Sequence, residues 1–435
     1  MTESPINLRD HVGLPLDRPV TLAVAGAGAR GTAYAEFAAQ WPDQARIVAV
    51  AEPREAMRKS FADRHELRPE LVFSTWQELA ARGRIADAVL ISTLDADHLA
   101  PTEAFAELGY DILLEKPIAT TAAETAAVGE VAARTGAMVA VCHVMRYTRY
   151  TEALLTLLDR IGDIVSIEHL EPVGWYHFAH SFVRGNWRRE DEAAFAMLAK
   201  SCHDIDWLGY VVGREARRVS SFGGLRHFRP ENKPAGATDR CLTCPVEADC
   251  AYSAARIYRE GLRDGGTKRY FTRVMAENDL TEEAVTEALA TGPYGRCVYA
   301  CDNDAVDHQV VNIEYEGGVT ASFTMTAFTP LENRHTKIFG TRGQLTGDGR
   351  HLSVYDFRTE QTTVIDTSLD GSSAAEGHAG GDAGLIASFV TALHEGRPEL
   401  VRSGIAESVA GHEVVFAAER ARREGAVITL PRSHA

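Results

Sequence analysis

Two lysines and a histidine in this chain are of the types from which chemistry on a hydroxyl group can be built. Lys116 follows an apolar run at 111–114 and stands directly before Pro117. An ammonium group there can hydrogen-bond a reacting hydroxyl and steady the alkoxide that develops as hydride leaves its carbon. The alternative reading is a surface loop lysine. Lys200, His203 and Trp207 fall on one stripe of a helix expected at about 193–210, spaced i, i+3 and i+7. Leu198, Cys202 and Ile205 cluster on the opposite side, so the expectation is an apolar face on the core and a polar face toward a cleft. His203 suits a general acid/base, because an unperturbed imidazole titrates at about 6.5. Lys200 could assist, since two ammonium groups sharing a cleft each make the other easier to deprotonate. A solvated helix face would present the same three residues.

Such chemistry needs a hydride acceptor, and a second constellation offers one. Val20-Thr-Leu-Ala-Val-Ala25 runs into Gly26-Ala27-Gly28-Ala29-Arg30-Gly31, and Glu52 lies 21 residues beyond Gly31 at the end of a second apolar run. A tight turn favours glycine at 26, close approach to a pyrophosphate favours it at 28, and helix-to-strand packing favours it at 31. Ala29, Arg30 and Gly31 open a helix whose free N–H groups would face the phosphates. Glu52 is placed to bind the adenosine ribose hydroxyls. A carboxylate would repel a 2′-phosphate, so NAD is expected over NADP, with Arg54 as the counter-signal. Thr93, Asp95 and His98, after the fourth apolar run, and Glu115 with Lys116, after the fifth, are expected to border the cofactor.

Segment 174–187 is dense in aromatics and hydrogen-bond donors, a mixture that suits the C–H faces and hydroxyls of a sugar. His177, His180, Arg184 and Asn186 are its candidate substrate contacts. Asp204, beside His203, and His378 and Asp382 are candidate further walls of the pocket. Cys241-x2-Cys244-x5-Cys250, with Cys297 or Cys301 downstream, has spacing compatible with a closed tetrahedral thiolate site. A structural zinc held by Cys241, Cys244, Cys250 and Cys297 is expected, with an iron–sulfur cluster or unligated thiols as alternatives.

The elements that must position these groups read as two kinds. From 20 to 142 continuous apolar runs at 20–25, 46–51, 71–73, 87–92, 111–114 and 137–142 alternate with helical stretches. Strands without polar alternation are buried on both faces, which means a doubly wound parallel sheet. After about 145, alternating runs at 164–170, 308–315, 318–326, 335–340 and 352–356 indicate an open, mostly antiparallel sheet in an α+β domain. The expected division is a dinucleotide domain at 15–144 and a substrate and oligomerisation domain at 145–435, carrying a Cys-containing insertion at about 229–303. A chain of 435 residues exceeds the roughly 250–300 that one core supports. A net charge of −16 opposes nucleic-acid and anionic-membrane partners. With no basic, apolar leader and no long apolar stretch, a cytoplasmic protein is expected, its seven cysteines unpaired.

Gly26-Ala27-Gly28-Ala29-Arg30-Gly31, Glu115-Lys116-Pro117 and Cys202-His203-Asp204-Ile205-Asp206 together resemble the glucose–fructose oxidoreductase / inositol dehydrogenase / rhizopine catabolism (Gfo/Idh/MocA) family, over nearly the whole chain. The resemblance implies a Rossmann domain, an open-sheet domain and a substrate cleft between them. It implies NAD(P)-dependent oxidation or reduction of a sugar, inositol or related polyol, with homodimers or homotetramers formed through the open sheet face. It also implies a cis peptide before Pro117. One departure bears on mechanism: many members carry Asp four residues before the motif histidine, where this chain has Ala199. Two alternatives stay open: a glycosidase or lyase that retains its NAD through a transient oxidation, and a non-catalytic NAD-binding regulator.

Overall fold

The computed structural model describes residues 16–264, 266–277, 279–368 and 380–431. The six apolar runs form strands β1 (Val20–Ala25), β2 (Ala45–Ala51), β3 (Val72–Phe73), β4 (Ala88–Ile91), β5 (Asp111–Leu114) and β6 (Val139–Val141). Their order is β3-β2-β1-β4-β5-β6, with every pairing parallel. Helices α1 (Ala29–Gln40), α2 (Glu55–Arg64), α3 (Trp76–Ala80), α4 (Leu99–Glu107) and α5 (Ala122–Thr135) connect them. Leu22 and Val24 pack into one hydrophobic cluster, and Ala23 and Ala25 into another. Both faces of the sheet are therefore dry, which is why the strand sequences do not alternate. The chain switches direction across the sheet between β1 and β4, and a ligand crevice belongs at the carboxyl ends of these strands.

A second sheet of nine strands follows: β7 (Ile164–Pro172), β8 (Ala216–Gly224), β9 (His308–Tyr315), β10 (Thr320–Thr326), β11 (His335–Gly340), β12 (Gly343–Gly347), β13 (His351–Asp356), β14 (Gln361–Asp366) and β15 (Ile428–Thr429). The order is β14-β13-β12-β11-β7-β10-β9-β8-β15. Only β7 and β10 run parallel; the other pairings are antiparallel. One face is covered by α6 (Arg149–Ile161), α7 (Ala196–Val212) and a long later helix that packs on both α7 and β8. Within the insertion, α8 (Ala254–Asp264), α9 (Gly266–Met275) and α10 (Glu282–Thr291) bury Ile257, Tyr258, Phe271, Val285 and Leu289 in a small core of their own. Helices α11 (Gly381–Glu395) and α12 (Ile405–Glu424) lie between β14 and β15 in the chain, α12 being the one against α7 and β8.

Strands β8, β12, β14 and β15 lie where no strand is expected from sequence. In β14, Gln361–Asp366 has five exposed positions and one half-buried, so it carries no hydrophobic alternation to read. Helix α7 also differs from expectation. It is buried nearly all round rather than on one face, because it lies between β7 and β10 on one side and α12 on the other. Trp207 is accordingly fully buried, donating its indole N–H to Thr151 Oγ1 at 2.9 Å instead of facing a cleft.

A buried ion pair ties α7 to the parallel sheet. Arg146, in the turn after β6, donates from Nε and Nη2 to the two carboxylate oxygens of Asp206 at 2.8 and 2.6 Å, and from Nη1 to the carbonyl of Arg402. Burial raises the Asp206 carboxyl above its ordinary range, and the guanidinium works against that shift. Removing one partner of such a pair strands the other charge in a dry interior. Asp206→Ala is expected to cost about 3–5 kcal/mol, read as a lower urea midpoint; an unchanged midpoint would contradict the staple.

Candidate active site

The glycine turn sits at the crevice. Gly26 has φ +94°, and a Cβ there would fall 2.3 Å from the Ser92 carbonyl oxygen. A Cβ on Gly31 would fall 2.0 Å from the Gly26 carbonyl oxygen, so α1 can approach β1 only with glycine at 31. At Gly28 the nearest group to a built Cβ is the Arg54 guanidinium at 3.4 Å, leaving the backbone bare toward the crevice. Glu52, whose side chain is 1% exposed, accepts the Ala27 N–H at 2.9 Å and clasps Arg54 through Nε and Nη2 at 2.6 and 3.1 Å. Burial alone would raise the Glu52 carboxyl, but the donors from Arg54 and Ala27 hold it below its ordinary range. A bare turn, a helix N-terminus and a terminal acid fit a dinucleotide.

Two motif residues beside this turn serve to hold it. Arg30 reaches Asp382 at 2.6 Å and stacks over Tyr34, with its Cζ 4.4 Å from the ring centroid. Tyr34 in turn donates to Glu115 at 2.7 Å. Asp382 thus anchors α1 to α11. His98 is buried, with Nδ1 2.8 Å from the carbonyl of Pro117, and supports the Lys116–Pro117 turn from behind. That peptide is cis, as the family resemblance implies.

Lys116 leaves the carboxyl end of β5 and crosses to the second domain. Its Nζ donates to the carbonyl oxygen of Ala199 on α7 at 2.9 Å. In a helix that carbonyl lies one turn before residue 203 on the same face, so the ammonium sits at the turn bearing His203. The His203 ring is 5.7 Å from His143, which is 5.5 Å from His412. Burial, then the charges of Arg146 and Lys116, push His143 well below its ordinary range, and burial with His143 pushes His412 down to about 3. His203 therefore packs beside uncharged imidazoles.

Around this pair lies a network that sequence reasoning missed. Lys200 pairs with Glu171 of β7 at 3.1 Å, and Glu171 also binds Arg334 at 2.9 Å. Arg334 donates to Asp204 at 2.5 Å, and Asp204 lies 3.1 Å from His169 Nε2. Asp204 is thus buried beneath the cleft with its charge already matched. The available signal was in β7, where Ile167, His169 and Glu171 alternate onto the buried face. Arg334, in the turn before β11, gave none. His177 is half-buried, its Nδ1 3.2 Å from the Val173 carbonyl. Burial, then the charge of Lys200, hold it well below its ordinary range.

Other expected contacts go elsewhere. His180 stacks on Tyr294 with centroids 4.4 Å apart and bonds the Tyr258 hydroxyl at 2.8 Å, inside the insertion. Arg184 is buried and donates to the carbonyls of Arg296 and Tyr252, each at 2.8 Å. Asn186 is exposed next to Trp187, whose indole N–H reaches across to Asp95 at 3.2 Å. Thr93 donates to the Asp97 carbonyl at 2.8 Å, within its own loop. His378 lies outside the described residues. The zinc expectation is corrected: among the described residues no group of three or more His, Cys, Asp or Glu is arranged to hold a metal ion. The Cys241 sulfur instead takes the Ala254 N–H at 3.4 Å, and Cys301 turns to the carbonyl of Cys297 at 3.3 Å.

A parallel six-stranded sheet ending in this turn, followed by a sheet domain that closes over it, defines a two-domain dinucleotide oxidoreductase. Residues 20–143 match the oxidoreductase family with an NAD-binding Rossmann fold, and 157–430 match that family's C-terminal alpha/beta domain. The chain belongs to the Gfo/Idh/MocA oxidoreductase family. It is 23% identical over 320 residues to the putative oxidoreductase YteT of Bacillus subtilis (strain 168), covering 69% of this chain and 71% of YteT. Its fold matches an inositol dehydrogenase homolog complexed with NAD+ from Azotobacter vinelandii (TM-score 0.68, 15% identity, 98% of this chain and 100% of the other). An oxidoreductase domain protein from Kribbella flavida is similar at TM-score 0.70 and 18% identity, over 95% and 100% of the two chains. Among the described residues no helix is long and apolar enough to cross a membrane.

Because the Gly31 Cβ would meet backbone, Gly31→Ala must move α1 away from β1. The expected result is about 1–3 kcal/mol of lost stability and at least about tenfold weaker NAD binding by calorimetry. Wild-type affinity would show that the turn does not seat the dinucleotide.

Proposed function

We propose that this chain is an NAD-dependent dehydrogenase of a secondary hydroxyl on a sugar, sugar derivative or cyclitol. The observation that carries the reading is the Lys116 ammonium on the Ala199 carbonyl, one helical turn from His203, at the carboxyl edge of the parallel sheet. Bound NAD would supply the acceptor for the hydride released from the carbinol carbon. Lys116 exchanges its carbonyl partner for the substrate hydroxyl and offsets the negative charge that gathers on that oxygen. His203 takes the hydroxyl proton, so a ketone, NADH and one proton result. The position four residues before His203 is alanine, so the carboxylate that many family members carry there does not share this work. Glu171, reaching in from β7, holds Lys200 in place instead.

NAD is favoured over NADP because Glu52 lies beneath the adenosine end of the crevice. Arg54 competes for that carboxylate and supplies the opposing charge. Copies of the chain are proposed to associate as a homodimer or homotetramer through the open face of the nine-stranded sheet, where Phe222 and Val364 stay exposed.

Lys116→Ala and His203→Ala should each lower kcat at least about a hundredfold in an NADH-forming assay while still binding NAD. Wild-type rates in both variants would end the proposal. Reducing equivalents separate the net dehydrogenase from an NAD-retaining alternative: one NADH must be released per substrate consumed, and substrate conversion without NADH release would contradict the reading. Arg54→Ala should raise the NAD-to-NADP ratio of kcat/KM by about tenfold, since it removes the cation and uncovers Glu52. An unchanged ratio would place Arg54 outside cofactor selection.

A further inference from the structure

We propose that the substrate carries a carboxylate, received by Lys200 and Arg334 beside the reacting hydroxyl, so that the preferred substrate is a sugar acid. The inference rests on the dehydrogenase reading above and names the substrate class of that same site.

Its basis is how the four charged groups are layered. The side chains of Lys200 and Arg334 remain 21% and 22% exposed, whereas those of Glu171 and Asp204 are 5% and 0% exposed. The cations therefore form the accessible surface, and the acids lie beneath them. Glu171 also shows that the two cations are spaced for one carboxylate to bridge: Oε1 meets Lys200 at 3.1 Å, and Oε2 meets Arg334 at 2.9 Å. A second carboxylate can bridge the same pair from the open side. An ammonium has three N–H bonds, and a guanidinium five, so neither is exhausted by its buried partners. Charge-assisted pairs of this kind are among the stronger polar contacts.

Charge balance selects the kind of anion. Lys200 and Arg334 are matched by two buried carboxylates, Glu171 and Asp204, and the Lys116 ammonium, bonded to the neutral carbonyl of Ala199 beside Lys200, adds one positive charge. A carboxylate monoanion neutralises it, whereas a phosphate dianion would leave an excess of negative charge in a partly buried cleft. His177 stays neutral and adds no cation there. The whole chain carries −16, so this local cationic surface runs against its own background and attracts what the rest of the molecule repels.

The position of Lys200 places the anion site close to the chemistry. It follows Ala199, whose carbonyl holds Lys116, and precedes His203 by three residues on the same face of α7. A substrate anchored there presents a carbinol near its acid group, as aldonates and uronates do.

The test uses the full chain loaded with NAD. Binding by calorimetry and NADH formation are measured for D-glucose, D-gluconate, D-glucuronate, D-galactose, D-galacturonate, myo-inositol and D-glucose 6-phosphate. At least one carboxylate should bind or turn over at least about tenfold better than its neutral counterpart, and that advantage should fall about tenfold in Lys200→Met but survive in Lys200→Arg. The Lys200 side chain is partly exposed, so neither variant removes a packed core group. Preference for a neutral sugar or cyclitol, with NADH formed, overturns the carboxylate assignment and leaves the dehydrogenase reading intact. Preference for the phosphate overturns it as well. A Lys200-dependent carboxylate complex without NADH formation supports the anion site and contradicts the dehydrogenase reading. Absence of saturable binding by any carboxylate overturns the proposal.

Discussion

The site depends on one contact between domains. Lys116 is delivered by β5 of the parallel sheet, yet its ammonium is held by the carbonyl of Ala199 on a helix of the other domain. Neither half of the molecule holds the proposed catalytic pair alone. The nucleotide domain supplies the glycine turn and the cation, while the sheet domain supplies the imidazole and the Lys200–Glu171–Arg334 network. The buried Arg146–Asp206 pair, on the same helix, keeps these contributions in register. Breaking the staple would strand charge in a dry interior, and this locks the arrangement.

Polar groups at the cleft are sorted by depth. Acids sit deep, matched by guanidinium and imidazole partners: Glu52 by Arg54, Asp206 by Arg146, and Asp204 by Arg334 and His169. Cations lie nearer the opening. Burial penalises the charged forms of His143 and His412 and holds both below their ordinary range. A cleft built this way tolerates the negative charge that gathers on an oxidised hydroxyl.

Much of the fold was legible because its cause is local. Buried parallel strands leave unbroken apolar runs, and the glycine turn has a steric need at each position, so β1 to β6 and the first crevice could be read directly. The strands of the second sheet that lack alternation, such as β14, were not legible, because their pairing is decided by neighbours distant in sequence. The same holds for the site. Lys116 and His203 carry their meaning in type and spacing, whereas Glu171 and Arg334 become meaningful only when β7 and the turn before β11 meet beside α7. His180 and Arg184 misled for a related reason: donors among aromatics suit a sugar, but here the insertion supplies the partners. The cysteines show the limit of spacing arguments: Cys241, Cys244, Cys250 and Cys297 line one small cavity, yet among the described residues they are not arranged to hold a metal ion, and the Cys241 sulfur takes a backbone N–H.

The central claim is that Lys116 gives up the Ala199 carbonyl for a substrate hydroxyl that His203 also reaches. A crystal structure of the ternary complex with NAD and an oxidisable substrate tests it most directly. The account predicts the carbinol oxygen within about 3 Å of both Lys116 Nζ and a ring nitrogen of His203. A complex in which Lys116 keeps its bond to Ala199, with the carbinol beyond reach of the imidazole, would contradict it.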